Sequence, residues 1–207
     1  MKAIILDTET NGKIKDFRLA LTQENLNRNR AATLGNFPNI TQIAWEVLDL
    51  MTGEVIKKYQ SFIKPDGWTI PDEDFFVQNN MSTERCEAEG KPATEVYDIL
   101  VDDMNRCTLI VCHNAAFDVP TLKADMIRYQ KKVTAKLVEV CTMKESTNYC
   151  KIPNARGNGY KWPKLEELYK FLFAKEMQGA HDAFCDTSAC RECFVKLVEL
   201  NVILLEF

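Results

Sequence analysis

Two carboxylates two residues apart, Asp7 and Glu9, directly follow the apolar run Ala3-Ile4-Ile5-Leu6. Such a run reads as a buried strand. Side chains at i and i+2 of a strand leave the same face, so Asp7 and Glu9 project together from one strand end. Anions held this close repel unless a proton or a cation sits between them. A pair of Mg²⁺ ions relieves that repulsion, and two such ions are the usual machinery for cutting phosphodiesters. Asp-x-Glu is also common on solvated strand ends, so its meaning depends on what lies downstream.

Two further carboxylates stand beside the chain's only two histidines. The apolar run 108–112 predicts a short strand that ends in His113-Asn114-Ala-Ala-Phe117-Asp118. Asp118 then falls in the first turn of the next helix, where the helix dipole favours a carboxylate. Near the C-terminus, Gly179-Ala-His181-Asp-Ala-Phe-Cys-Asp186 opens the last predicted helix. His181 falls in the loop or first turn, and Asp186 about a turn further in. The two do not share a helix face, yet a histidine outside the helix and an aspartate inside it can converge on one point. Taken singly, Asp118 reads as a helix-start residue and His181 as a surface histidine.

The elements that position these residues follow from periodicity. Residues 3–7 are a strand, 40–50 a second and 55–63 a third, with Met51-Thr-Gly-Glu54 as the turn between the last two. These three can form an antiparallel meander. Residues 13–38 are polar, with Gly-Asn-Phe-Pro punctuation, and read as a long loop insertion. A helix opens at Pro92 and runs to Asn105, with Val96, Ile99, Leu100 and Met104 on one face. Helices over 118–131, 163–173 and 182–200, and a strand over 137–142, complete a β-β-β-α-β-α-β-α-α order. A meander followed by βα alternation predicts an α/β fold: one domain over 1–207, its mixed sheet flanked by helices on both faces.

At 207 residues with 46% hydrophobic and 27% charged side chains, the chain has enough apolar material for one sizeable core. No stretch approaches the roughly 20 apolar residues of a membrane span, and no signal peptide is evident. No membrane partner and a cytoplasmic location, or its viral equivalent, are therefore expected. Eight cysteines raise the question of metal. Cys185-x4-Cys190-x2-Cys193 has plant-type iron–sulfur spacing but no fourth cysteine after it. Free thiols in apolar segments, such as Cys107, Cys112, Cys141 and Cys193, are the expected reading. The net charge of −4 excludes a protein that grips nucleic acid over its whole surface. Basic residues nevertheless gather in 13–30, 121–136 and 144–164, and acidic ones between Asp72 and Asp103. That segregation suits a phosphate-facing side with an acidic back.

In order, Asp7-Thr8-Glu9, then His113-Asn114-Ala-Ala-Phe117-Asp118, then His181-Asp-Ala-x-x-Asp186, resemble the motifs of the DEDDh 3′–5′ exonucleases. That family includes polymerase proofreading subunits and stand-alone DNA- and RNA-trimming enzymes. The similarity extends to Pro38-x-Ile40-x-Gln42-Ile-Ala44, to Lys64-Pro65 through Ile70-Pro71, and to Lys164-Leu-x-x-Leu168, so it spans nearly the whole chain. The resemblance implies a ribonuclease H-like fold with a five-stranded sheet. It implies two Mg²⁺ or Mn²⁺ ions: Asp7 bridging them, Glu9 and Asp186 completing one site, and Asp118 holding the other largely through water. It implies His181 as general base, and Thr8, Thr10, Asn114 and Phe117 along the terminal nucleotide. The implied function is release of nucleoside 5′-monophosphates from the 3′ ends of single-stranded nucleic acid, with DNA favoured over RNA. A DNA polymerase partner would make the chain a proofreading subunit; the absence of a long tail favours a stand-alone enzyme. Alternatives are an inactive nucleic-acid-binding or polymerase-associated module, and a ribonuclease H-like endonuclease. Many members carry His-Gly-Ile after the third strand where this chain has Asn79-Asn80-Met81, and Asp-Thr where it has Cys141-Thr142. Its 13–38 insertion is also longer than usual, which suits a lid, a substrate guide or a docking arm.

Overall fold

A computed structural model describes residues 1–179 and 182–205. Its central strand is β1 (Lys2–Thr10). On one side β2 (Ile40–Asp49) and β3 (Val55–Phe62) add antiparallel neighbours; on the other β4 (Leu109–Cys112) and β5 (Val138–Cys141) run parallel to it. The sheet order β3-β2-β1-β4-β5 is the mixed five-stranded arrangement expected from the sequence. The helices are α1 (Gln23–Gly35), α2 (Asp74–Gln78), α3 (Thr83–Glu89), α4 (Ala93–Met104), α5 (Ala115–Arg128), α6 (Thr142–Cys150), α7 (Leu165–Phe173) and α8 (Ala183–Glu199).

Strand alternation splits the core into two layers. Ile4 and Leu6 of β1 pack with Cys86 of α3, Val96 and Leu100 of α4, and Val119 and Leu122 of α5. Ala3 and Ile5 face the other way, into Cys150 of α6, Leu168 of α7, and Cys190, Phe194 and Leu197 of α8. Each fully buried Leu, Ile or Phe contributes roughly 1.5–3 kcal/mol. A one-residue slip of β1 would exchange these faces, moving Asp7 and Glu9 to the α5 side, so the core fixes the direction in which the carboxylates point.

Four helices of the described residues are absent from the order expected of the sequence: the short α2 and α3 within the acidic 72–103 segment, and the longer α1 and α6. Residues 142–150, to which periodicity assigns nothing, form α6. The 13–38 insertion is not all loop, because it contains α1. Thr22 caps α1 by accepting from Asn25 N–H, and Asn29 interrupts it with non-helical angles. Thr33 is its one buried residue. A helix that buries so little has no apolar stripe, which is why its periodicity is invisible in the sequence.

The insertion is held against α5. Ile14 and Phe37 pack on Ala124, with Leu21, Leu34 and Phe117 around them. The Arg128 guanidinium donates to the carbonyls of Pro38 (3.0 Å), Leu34 (2.6 Å) and Phe37 (2.7 Å) and pairs with Asp125. Asp125 is buried and also accepts from Tyr97 Oη (2.7 Å) and Ile40 N (3.2 Å). Arg128→Ala would leave that carboxylate buried without its cation and three carbonyls without their donor. A loss of about 3–5 kcal/mol is expected, read as a lower urea midpoint at unchanged slope.

Cys107, Cys112 and Cys193 are buried and Cys141 is half-buried; all eight thiols are free. Among the described residues, no helix is long and apolar enough to cross a membrane.

Candidate active site

The carboxylates reach the end of β1 from three elements. Asp7 and Glu9 lie on the α8 face of β1 and Thr8 on the α5 face, as strand alternation requires. Asp118 is the fourth residue of α5 and Asp186 the fourth of α8. Both thus stand in a first helical turn, near the positive end of a helix dipole. Carboxylate oxygens of Asp7, Glu9 and Asp186 lie within 4.8 Å of one another. From the other face, Thr8 Oγ1 donates to Asp118 Oδ1 at 2.8 Å. The expected general base, His181, lies outside the described residues.

Crowding and burial perturb these acids strongly. Burial pushes the Asp7 carboxyl well above its ordinary value, and repulsion from Asp118, Asp186 and Glu9 adds to it. Burial, reinforced by Asp186 and Asp118, raises Glu9 to about 8. Burial raises Asp118 to about 7, with the Thr8 hydrogen bond opposing. A cluster that resists carrying its own charge at neutral pH, built wholly from hard oxygen donors, fits Mg²⁺ or Mn²⁺.

Cross-strand neighbours hold α8 in place. Directly opposite residues of paired strands share a face, so Ala44, opposite Asp7, leaves room for the helix. Ala44 O accepts from Thr187 Oγ1 of α8 at 3.2 Å. Gln42, opposite Glu9, is buried. Its Nε2 donates to Asp182 Oδ2 (3.2 Å), and its Oε1 accepts from Ala183 N (3.4 Å). Asp182 in turn caps α8 by accepting from Phe184 N and Cys185 N. Further along, Glu46 is fully buried and bonded to Ser188 and Arg191 of α8 and to Lys58. Burial alone would raise its carboxyl, but these partners hold it below its ordinary value. Sequence reasoning missed Gln42, Asp182 and Glu46. The available signal was Gln42 and Glu46, two polar residues four apart within a mostly apolar strand.

The α5 side is set by β4. Asn114 begins α5 with φ 142°, a conformation costly for a residue with a Cβ. Its side chain does not cap the helix. The His113 ring bridges Pro163 O (Nε2, 3.0 Å) and Thr142 Oγ1 (Nδ1, 3.0 Å). Burial lowers its pKa to about 4, so the ring is neutral at pH 7, with Nε2 donating to the carbonyl and Nδ1 accepting from the hydroxyl. His113 is therefore a pin between β4, α6 and the loop before α7.

All four residues expected to line the terminal nucleotide, Thr8, Thr10, Asn114 and Phe117, line one groove with Glu9. Its volume is about 1260 Å³, above the usual ~300–1,000 Å³ of a small-molecule pocket. Lys13, Lys15 and Phe17 from the insertion, and Phe75 from α2, form part of its wall. Hydrogen bonds hold that wall: Asn11 N to Asn39 O (3.1 Å), Lys15 N to Asn36 O (3.0 Å) and Asn36 Nδ2 to Asp16 O (2.9 Å). The acidic 72–103 segment is not wholly a back surface, because Glu73 also faces the groove.

A pH dependence of stability follows. Glu9 and Asp118 hold protons in the folded state up to about pH 8 and 7, whereas their ordinary values are 4.5 and 3.8. Between those limits the folded state binds more protons than the unfolded one, so stability falls as pH rises. Their contribution is complete below about pH 4 and is lost as pH passes through 7–8. In EDTA, the melting temperature should drop by about 5 °C or more from pH 5 to pH 8.5. Millimolar Mg²⁺ should restore more of it at pH 8.5 than at pH 5, which calorimetry in each buffer would read.

No protein-family model matches this chain, and no curated protein does. Solved structures match its fold. Exonuclease I of E. coli in complex with a dT13 oligonucleotide superposes with a TM-score of 0.68 at 16% identity, over 96% of this chain and 41% of that one. Exonuclease I of Methylocaldum szegediense gives 0.67 at 16% identity, over 96% and 40%. The nuclease domain of 3′hExo, a DEDDh family member bound to rAMP, gives 0.66 at 14% identity, over 99% and 94%. The chain thus spans about two fifths of the exonuclease I structures and nearly all of the 3′hExo nuclease domain. Its mixed five-stranded sheet between two helical layers is the ribonuclease H-like α/β fold of these exonucleases.

Proposed function

We propose that the chain is a metal-dependent 3′–5′ exonuclease that releases nucleoside 5′-monophosphates from single-stranded ends. The observation that carries this reading is the cluster of Asp7, Glu9 and Asp186, with Asp118 near enough to press on the Asp7 charge, beside a groove lined by Thr8, Thr10, Asn114 and Phe117. Asp7, Glu9 and Asp186 would hold one divalent ion, and Asp7 with Asp118 a second. Bound there, such ions acidify a water and neutralise charge on the leaving oxygen.

The residues of the chain do the rest. Thr8 fixes the Asp118 carboxylate against the end of β1. Gln42 and Asp182 hold the start of α8, and so Asp186, against β1. His181 takes the proton from the attacking water at an imidazole nitrogen. The water oxygen bonds to phosphorus, the P–O3′ bond breaks, and the proton passes on to the departing 3′ oxygen. The groove receives the 3′-terminal nucleotide, and Lys13, Lys15 and Phe17 make the insertion a substrate guide rather than a remote arm. Similar structures hold a deoxyribonucleotide oligomer in one case and a ribonucleotide in another, so the fold accommodates either sugar; DNA remains the favoured substrate.

The test is a product assay with 5′-labelled DNA and RNA of one sequence, linear and circular, in Mg²⁺, Mn²⁺ or EDTA. A metal-dependent ladder that shortens from the 3′ end, with circles intact, is expected. Cut circles would make the chain an endonuclease, and intact linear strands in every metal a binding module.

A further inference from the structure

We propose that a second nucleic-acid site, outside the groove, lies on the surface shared by α6 and the loop before α7. There bases of a single strand stack on Trp162 and Tyr160 while Lys144, Lys151 and Arg156 meet its phosphates. The site deepens the exonuclease reading and rests on it for the direction of the strand: the 3′ end in the groove, the upstream nucleotides on this surface.

Trp162 is 60% exposed and Tyr160 46%. Two such rings two residues apart, set among cations, offer the π-faces on which bases of a single strand stack. Lys144 Nζ stands over the Trp162 ring, 5.9 Å from its centroid. Lys161 N donates to Ile152 O (2.9 Å), which brings the 160–162 segment alongside Lys151. Asn154 organises the turn that carries Arg156, its Oδ1 accepting from Arg156 N at 3.0 Å. Among the described residues, Lys144, Lys151, Arg156 and Lys164 are in no ion pair, and the whole 144–164 segment contains one acidic residue, Glu145. In a chain of net charge −4 that is a local inversion of sign. Exposed rings in a segment of unpaired cations, one of them over a ring, are the pattern of a single-strand stacking platform; a protein-docking patch is less charged at its centre.

The surface is joined to the groove by the His113 pin. His113 Nε2 holds Pro163, the residue after Trp162, and the next residue in the chain, Asn114, lines the groove. A strand leaving the groove past Asn114 meets Trp162 next.

Tryptophan fluorescence tests the proposal without turnover. Trp45 is 0% and Trp68 9% exposed, so a stacking base quenches Trp162 selectively. The full chain in EDTA would be titrated with an oligothymidylate of about twelve nucleotides, within the span of single-strand sites. Saturable quenching is expected, lost in Trp162→Ala together with about 5- to 100-fold of the affinity, and partly recovered in affinity by Trp162→Phe. Lys144→Ala with Lys151→Ala should flatten the salt dependence by about 1.4 in log–log slope, two phosphate contacts' worth. In Mg²⁺, Trp162→Ala should lose kcat/KM on the long strand but not on a dinucleotide, which ends inside the groove. Unchanged affinity and unquenched fluorescence, with hydrolysis of both substrates intact, would overturn this site and leave the exonuclease standing. Quenching that depends on protein concentration without oligonucleotide would overturn it in favour of a second copy of the chain. Quenching without hydrolysis of any substrate by the wild type would instead remove the exonuclease reading and keep the site.

Discussion

Asp7→Asn should reduce turnover by at least about 10³-fold and at the same time raise the melting temperature of the metal-free protein. Asp7 is a crowded carboxylate: burial, Asp118, Asp186 and Glu9 all press against its charge. An amide of the same shape removes that strain, so the apo fold gains stability. It also takes away a charged oxygen shared between the proposed ion positions. Several kcal/mol of charge stabilisation is what an ion supplies to a phosphoryl reaction, and about 4 kcal/mol is three decades of rate. The check is a paired measurement of 3′-end hydrolysis and of melting with Mg²⁺ or EDTA. The wild type should show a large Mg²⁺ shift and the variant little. A variant with full activity would sink the assignment of Asp7, and one that melts lower in EDTA would contradict the crowding.

His181→Ala should lower kcat by roughly 10²–10⁴, the usual contribution of a general base. The carboxylates remain, so the Mg²⁺-induced melting shift should stay at its wild-type size. That separates loss of a base from loss of the site. Wild-type kcat across neutral pH in the variant would remove His181 from the mechanism.

How much of this was legible in the sequence varies from element to element. Strands with strong apolar runs, and helices with a clear stripe such as α4, were placed within a few residues of their observed ends. The direction of Asp7 and Glu9 was legible too, because strand alternation is strict and a register slip would cost the core. The position of Asp118 in a first turn was legible from the strand-to-helix transition, whereas Asp186, expected about a turn beyond His181, stands in the first turn of α8. Helix α1 was not, because a helix that buries one residue carries no period to read.

The sequence by itself thus determined the order of the five strands and of helices α4, α5, α7 and α8, the motif residues, and the face on which Asp7 and Glu9 leave their strand. These are local properties, set by alternation along a strand and by the first turn of a helix. Only the tertiary structure decided that Asp118 and Asp186 reach β1 from opposite faces of the sheet, and that Gln42, 140 residues before Asp182, holds the start of α8. It also decided that Lys13, Lys15 and Phe17 form a wall of the groove. Each depends on contacts between segments distant in the chain, where packing and paired hydrogen bonds choose the partner and no local pattern records the choice.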